Sequence, residues 1–123
     1  MDMQGYQQYK TQAINTMTQG ELLMLLYDEL IKRLIRSELA LKKQDFELFE
    51  TSIVRCIDIV RHLDQTLDMQ YDISRDLHRL YDYFLYQLNR VRFGRNEKVL
   101  EEIKPRLIDL RDTFRKAQEA QNI

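Results

Sequence analysis

The sequence has few of the residues that interrupt or crosslink a protein chain. Among 123 residues there are three glycines, one proline, one cysteine and no tryptophan. So few glycines and prolines leave long stretches of helix-favouring residues uninterrupted. The one cysteine, Cys56, cannot form an internal disulfide, which suits a reducing compartment. Its place in an apolar stripe predicts a small buried side chain rather than a nucleophile.

Long hydrophobic runs and an excess of charge of one sign are also missing. No apolar run reaches the roughly 18 residues of a membrane span, and the first residues do not resemble a secretory signal. The 19 Lys and Arg nearly balance the 20 Asp and Glu, for a net charge of −1. This balance gives no electrostatic reason to expect nucleic acid or an anionic membrane as a partner. We therefore expect a cytoplasmic protein without membrane insertion.

Residue patterns that carry catalysis or hold a cofactor are absent from the sequence. It contains no glycine-rich phosphate loop and no nucleophile elbow. His62 and His78 stand in neither a Glu-x-x-His nor a His-x-x-x-His arrangement, which argues against a zinc or di-iron bundle. The basic stretch RVRFGR, residues 90–95, is explained by the negative end of a helix dipole. We predict that the protein is not an enzyme and holds no metal or cofactor.

Apolar residues recur with helical spacing along four stretches, and no alternating strand pattern competes with them. The predicted helices cover residues 19–43, 46–69, 75–92 and 97–119. Because their connections are short, neighbouring helices are expected to be antiparallel. The sequence thus predicts an all-α protein, an antiparallel up-down four-helix bundle. The bundle domain is expected over residues 18–119, with an amino-terminal capping segment over 1–17 and a tail over 120–123.

Residues that start and end helices lie between the predicted helices. The expected amino-terminal caps are Thr18, Asp45, Asn96 and, for the third helix, Ser74 or Asp72. Gly94 is predicted to be the left-handed residue that ends the third helix. Pro105 lies inside the fourth helix, where a missing backbone hydrogen bond is expected to kink it. The apolar periodicity continues past this proline, which favours one bent helix.

The first and third predicted helices carry more apolar residues than one core-facing stripe needs. On the first, Met24, Ile31 and Ile35 form a second stripe opposite the core-facing leucines. On the third, Tyr83 points to the flank of the core-facing stripe, and Tyr86 points nearly away from it. Exposed apolar stripes usually mark a contact surface. The stripes could be covered by a second copy of the chain, by the amino-terminal segment or by a partner helix.

Three stretches of the sequence resemble one known family. YKTQAINTMTQGELLMLLYDELIKRL, residues 9–34, combines an amino-terminal tyrosine, a capping box and a Leu-Tyr-Asp run. LYDYF, residues 80–84, and LRDTFRKA, residues 110–117, follow in order. Together they resemble the FliS family of flagellin-specific export chaperones. Gln19 replaces the usual proline of the first cap and Phe114 a common tryptophan, but both keep the local role.

The resemblance implies a cytoplasmic chaperone for flagellin. Such a chaperone binds the disordered carboxy-terminal segment of flagellin in apolar grooves, prevents its premature polymerisation and helps to deliver it to the export gate. The resemblance implies no cofactor, and we expect a monomer or weak homodimer. The alternative is a structural homodimeric bundle without a client, in which the exposed apolar stripes of two copies of the chain bury each other.

The partner-binding residues follow from the resemblance and from the spare stripes together. The amino-terminal segment is expected to cover part of the groove until the client arrives, since the resemblance places its tyrosine in a segment that matters for client binding. The expected partner-binding residues are Tyr9, Ile14, Met24, Tyr27, Ile31, Ile35, Tyr83 and Tyr86.

Overall fold

The computed structural model describes residues 17–121, and these form four α-helices without a strand. The helices are α1 (Gln19–Lys42), α2 (Phe46–Gln65), α3 (Asp72–Gly94) and α4 (Glu97–Gln121). Tyr9 and Ile14 lie outside the described residues. Over residues 17–121, no helix combines the length and the apolar character that crossing a membrane requires.

The four helices pack as a closed ring around one core. Helix α1 packs against α2 and α4, and α3 packs against the same two helices. Ion pairs between α1 and α4 show their antiparallel direction, because Asp28 near the start of α1 meets Arg115 near the end of α4 at 2.6 Å. Further along, Glu38 of α1 meets Lys104 of α4 at 2.8 Å. The predicted all-α, antiparallel up-down four-helix bundle is confirmed.

Three of the predicted helix caps are confirmed. Thr18, Asp45 and Asn96 each accept a hydrogen bond, through a side-chain oxygen, from the backbone N–H three residues further on. The three distances are 3.1, 3.2 and 3.1 Å. Each bond satisfies a backbone donor that the first turn of a helix leaves without a partner.

The predicted start of α3 is wrong. The helix begins at Asp72, and its cap residue, Tyr71, makes no side-chain hydrogen bond to it. Ser74 lies within the first turn, and its hydroxyl donates to the backbone carbonyl of Asp68 at 2.6 Å. The hydroxyl thus holds the preceding connection instead of capping the helix. Helix α2 also ends earlier than predicted, at Gln65.

The predicted left-handed residue after α3 is also wrong. Gly94 is the last residue of the helix, and the left-handed residue is Arg95, with φ 47°. The guanidinium carbon of Arg95 lies 3.6 Å from the centroid of the Phe46 ring, at the start of α2. This cation–π contact helps to hold a conformation that is unfavourable for a residue with a Cβ atom. Beyond it, α4 continues through Pro105 as one helix.

The core contains side chains from all four helices. Its largest fully buried members are Tyr27, Leu30, Leu34, Phe49, Ile53, Ile57, Ile59, Leu63, Phe84, Leu88, Leu100 and Ile103. Cys56 is buried among them, as predicted, and burial raises the pKa of its thiol to about 12. A thiol with so high a pKa is a poor nucleophile at neutral pH.

Candidate functional site

The bundle is closed by buried side chains at one end and open at the other. At the closed end, where α1 leads into α2 and α3 into α4, Leu41, Phe49, Val91 and Val99 are buried. At the other end the side chains enclose a cavity of about 380 Å³, which we call the open-end groove. Its lining residues are Gln19, Gly20, Leu22, Leu23, Leu26, His62, Leu63, Thr66, Leu67, Asp68, Leu77, Tyr81 and Phe114.

The open-end groove exists because the apolar stripes continue beyond the closely packed core. Leu23, Leu26, Leu67 and Leu77 pack against the core but are only partly buried. The early end of α2 contributes, since Leu67 then lies in the connection to α3 and lines the groove from there. Apolar side chains from several elements thus face a space that residues 17–121 leave open, which is the usual character of a binding site.

A pair of tyrosines meets across the bundle beside the open-end groove. The hydroxyl oxygens of Tyr27 on α1 and Tyr81 on α3 lie 2.6 Å apart, within hydrogen-bonding distance. The Phe114 ring stacks on the Tyr27 ring with 5.5 Å between centroids. Burial is the main cause that raises the pKa of both phenols, so both hydroxyls stay protonated at neutral pH.

A second apolar depression of about 510 Å³ lies between α3 and α4, and we call it the α3–α4 groove. Tyr83 stands at its wall, with its ring edge-on to that of Phe84 at 5.4 Å between centroids. The Tyr83 hydroxyl accepts a hydrogen bond from Nη1 of Arg106 at 3.0 Å. The wall therefore combines an apolar ring with a polar group that remains accessible. The groove is lined by Leu80, Tyr83, Phe84, Arg106, Asp109, Leu110 and Thr113.

Two of the sequence-predicted site residues belong to the core. Tyr27 has no exposed surface, and Ile31 is only 4% exposed. The spare stripe predicted for α1 is thus wrong at Ile31, because α1 packs against two helices and buries a wider arc than one stripe. In this structure neither residue offers surface to a partner. Tyr27 instead supports Tyr81, which lines the open-end groove.

The other predicted site residues lie apart from one another. Tyr83 lines the α3–α4 groove, whereas Met24, Ile35 and Tyr86 line neither groove. Met24 is partly exposed, Ile35 is 42% exposed and Tyr86 is 64% exposed. Tyr86 thus faces away from the core, as its position on the helix indicates. Tyr9 and Ile14 lie outside the described residues, so their predicted role stays a prediction.

Sequence reasoning missed the open-end groove because it assigned the leucines of the groove to the core. Leu22, Leu23 and Leu26 have the same helical phase as the buried Leu30 and therefore look like core residues. One available signal was their position, since they lie within two turns of the start of a helix that follows a polar segment. A helical stripe that reaches the end of a bundle has fewer neighbours there than in the middle.

An ion-pair cluster joins α2 to α3 close to the open-end groove. Nδ1 of His78 lies 2.6 Å from Oδ1 of Asp64, and Nε2 lies 3.4 Å from Oδ2 of Asp82. The hydrogen bond to Asp64 is the main cause that raises the pKa of His78 above its ordinary value. Among the residues that the structure describes, these three side chains come close enough together to hold a metal ion. Their mutual ion pairs account for the cluster without one.

The raised pKa of His78 predicts a pH-dependent contribution to stability. The charged imidazole is favoured in the folded state, so its stabilising effect is complete below the unfolded-state pKa of about 6.5. The effect disappears as pH rises through the higher folded-state pKa. The unfolding free energies of wild type and His78→Asn should therefore differ most below about pH 6.5 and converge as the pH rises above the folded-state pKa. Urea titrations across this range measure the difference.

The matched control for this prediction is Asp64→Asn, which removes the principal partner and keeps the imidazole. It should lose most of the same pH-dependent contribution. The effect is small because His78 and Asp82 are solvent-exposed, so water screens the charges. If His78→Asn destabilises the protein equally at all pH values, the pairs are not the cause.

Comparisons with known proteins agree on one family. Residues 2–121 match the family described as flagellar protein FliS. The flagellar secretion chaperone FliS of Bacillus subtilis (strain 168) is 26% identical over 112 residues, which cover 91% of this chain and 84% of that protein. A crystal structure of a flagellar chaperone from bacteria matches with a TM-score of 0.76 at 25% sequence identity. The matched region covers 98% of this chain and 99% of the chain in that crystal structure.

Proposed function

This chain belongs to the FliS family, and on that basis we propose that it is a cytoplasmic export chaperone for flagellin. Its client is the disordered carboxy-terminal segment of flagellin, which it shields from premature polymerisation and helps to bring to the export gate. The observation that carries this proposal is the open-end groove. The bundle already has a complete core, yet leucines from α1, the α2–α3 connection and α3 surround a space that residues 17–121 do not fill.

The physical demands of such a client fit the two grooves. A segment that folds on binding loses conformational entropy, and burial of apolar surface must offset this loss. An amphipathic helix that lies in a groove buries its apolar side chains in this way. The open-end groove, of about 380 Å³, can receive apolar side chains from one face of such a helix while the rest of the helix stays outside it.

The α3–α4 groove extends the proposed contact surface to the other side of α3. Its wall residue Tyr83 supplies an apolar ring and its neighbour Arg106 a charged donor, so the groove can orient as well as bury a client helix. We include Met24, Ile35 and Tyr86 in the proposed surface because their side chains are partly or largely exposed, and a long client segment can cover apolar side chains outside the grooves as well. Met24 can adapt its shape to the client.

Calorimetric titration with a peptide of the flagellin carboxy-terminal segment tests the proposal. We expect one-to-one binding and a strongly negative heat-capacity change, since the contact buries apolar surface. The control peptide carries serine at its apolar positions and should not bind. Absence of binding by the unmodified peptide would contradict the proposal. A tight dimer at low protein concentration, seen by sedimentation without a client, would favour the structural homodimer instead.

We also propose that the amino-terminal segment covers the open-end groove in the absence of the client. Residues 1–16 precede Met17 and Thr18, and so join the bundle at its open end. Deletion of residues 1–8 should increase the binding of a hydrophobic dye, because apolar surface becomes accessible. Tyr9→Ala should weaken client binding, since the tyrosine is expected to touch the client too. Fluorescence with the dye and calorimetry with the peptide measure the two effects.

A clear negative result is possible for the amino-terminal segment. Displacement of a cover lowers the apparent affinity of the client by the free energy of closure. A segment that only covers the groove would therefore leave client binding unchanged or tighter after Tyr9→Ala. If neither the deletion nor the substitution alters dye or client binding, the segment has no part in the function.

A further inference from the structure

Two aromatic side chains that are largely exposed lie on one outward line of α3. Phe93 is 75% exposed and Tyr86 is 64% exposed. They are seven residues apart, which is two helical turns, so their side chains lie on the same side of the helix. Asp82 and Arg90, four residues before and after Tyr86, are exposed beside this line, as is Arg79. We call these five residues the outward α3 face, and none of them lines either groove.

Contacts within α3 hold charged groups beside the exposed rings. Nη1 of Arg90 donates a hydrogen bond to Oε1 of Gln87 at 3.0 Å, and the guanidinium carbon lies 6.0 Å from the centroid of the Tyr86 ring. The carboxylate of Asp82 lies 3.4 Å from Nε2 of His78, and the Asp82 side chain is still 60% exposed. The outward α3 face thus presents apolar rings together with accessible charges of both signs, which suits a partner with a matching order of charges.

The order of residues along the outward α3 face is complementary to the same order read backwards. In an antiparallel pair of α3 helices with a two-fold axis at Tyr86, each residue is level with the one equally far from Tyr86 in the other direction. Arg90 is then level with Asp82 of the second copy, and Phe93 with Arg79 of the second copy. The first combination is an ion pair and the second a cation–π contact, and the symmetry forms each of them twice. A parallel pair would instead place Arg90 beside Arg90.

We infer that the outward α3 face is the interface of a weak antiparallel homodimer of this chain. Each copy contributes one face of one helix, so the buried area belongs to the small interfaces, below about 1,200 Å² in total. We therefore expect a dissociation constant on the order of 100 µM. Such a dimer differs from a tight structural homodimer because it separates into monomers at low protein concentration. The inference goes beyond the proposed function, since no client takes part in the contact.

Exchange of the two charges tests the interface and its direction. Asp82→Lys places like charges at both ion pairs, and Arg90→Glu does the same with the opposite sign. Each variant alone should have a dissociation constant for the dimer about tenfold above that of wild type, or higher. An equimolar mixture of the two variants should associate about as strongly as wild type, because each positive face then meets a negative one. Sedimentation equilibrium from about 10 µM to about 1 mM measures the association.

The controls separate this contact from the effects of net charge and of folding. Glu101→Lys and Lys32→Glu make the same changes of net charge at exposed positions of α4 and α1, and each variant should associate like wild type. Tyr86→Ala weakens the dimer without a change of charge, and it decides the test together with Arg90→Glu if Asp82→Lys does not fold by circular dichroism.

Two results would overturn the inference. One is a wild-type protein that stays monomeric at about 1 mM. The other is a mixture of the two folded charge variants that associates no more strongly than either variant alone. In both cases the proposed function stands, because the experiment contains no flagellin peptide. Failure of the peptide to bind in calorimetry would in turn leave the dimer unaffected.

Discussion

Replacement of Phe84 by alanine is expected to lower the free energy of unfolding by about 3–5 kcal/mol. The Phe84 ring is only 1% exposed and lies in the core beside the α3–α4 groove, so its removal leaves a cavity that α3 cannot close by a small shift. A domain of this size typically has about 5–15 kcal/mol of total stability, so the loss is a large fraction of it. Urea unfolding followed by circular dichroism measures the loss.

Tyr86, on the same helix, supplies the matched control. Because Tyr86 is 64% exposed, Tyr86→Ala should change the free energy of unfolding by less than about 0.5 kcal/mol. Tyr83→Ala is expected between the two, since its ring packs on Phe84 at one edge and is open at the other. For both tyrosines, client binding should fall by more than stability. Equal losses of stability at all three positions would show that the tyrosines belong to the core.

A carboxylate in the open-end groove should remove most of the client affinity. Leu23→Asp places a charge among leucines that the client is proposed to cover, and the bound state would have to bury it without a partner. We expect the dissociation constant for the flagellin peptide to rise about thirtyfold or more, which corresponds to about 2 kcal/mol. Calorimetry with the same peptide measures the effect.

The neighbouring residue on α1 gives the control for this substitution. Leu25 is 40% exposed and lines neither groove. Leu25→Asp adds the same charge to the same helix, so it should leave client binding within about threefold of wild type. Thermal unfolding of both variants separates lost binding from lost folding. If both substitutions weaken binding equally, the effect comes from the charge of the chaperone and the open-end groove is not the contact.

The sequence by itself determined the fold class, because the helical period of apolar residues is a local property of the chain. Four such periods with polar connections leave an antiparallel bundle as the compact solution. The caps at Thr18, Asp45 and Asn96 could be predicted for the same reason, since each bond spans three residues. The family could also be recognised, from motifs that are local runs of residues.

The features that sequence reasoning misplaced depend on contacts that reach beyond the three-residue span of a helix cap. Ser74 does not cap α3 because its hydroxyl bonds to the carbonyl of Asp68, six residues earlier. Arg95 takes the left-handed position that glycine usually occupies, and its guanidinium stacks on Phe46, which belongs to a different helix. A left-handed residue does follow α3, as expected, but it is Arg95 instead of Gly94. At the start of α3 no side chain caps the helix, because Tyr71 occupies the cap position.

The candidate site was decided by the tertiary structure. Ile31 and Ile35 are the same residue type and lie one helical turn apart on the same predicted stripe of α1. Ile31 is buried because α1 packs against helices on two sides, whereas Ile35 remains 42% exposed. Leu23 and Leu30 share a stripe, but only Leu23 lies at the open end, where it lines a groove. Sequence spacing shows which face of a helix is apolar. The number of side chains that cover this face changes along the axis of the bundle and depends on how the helices pack. Only the structure therefore separates a core leucine from one that is left for a partner.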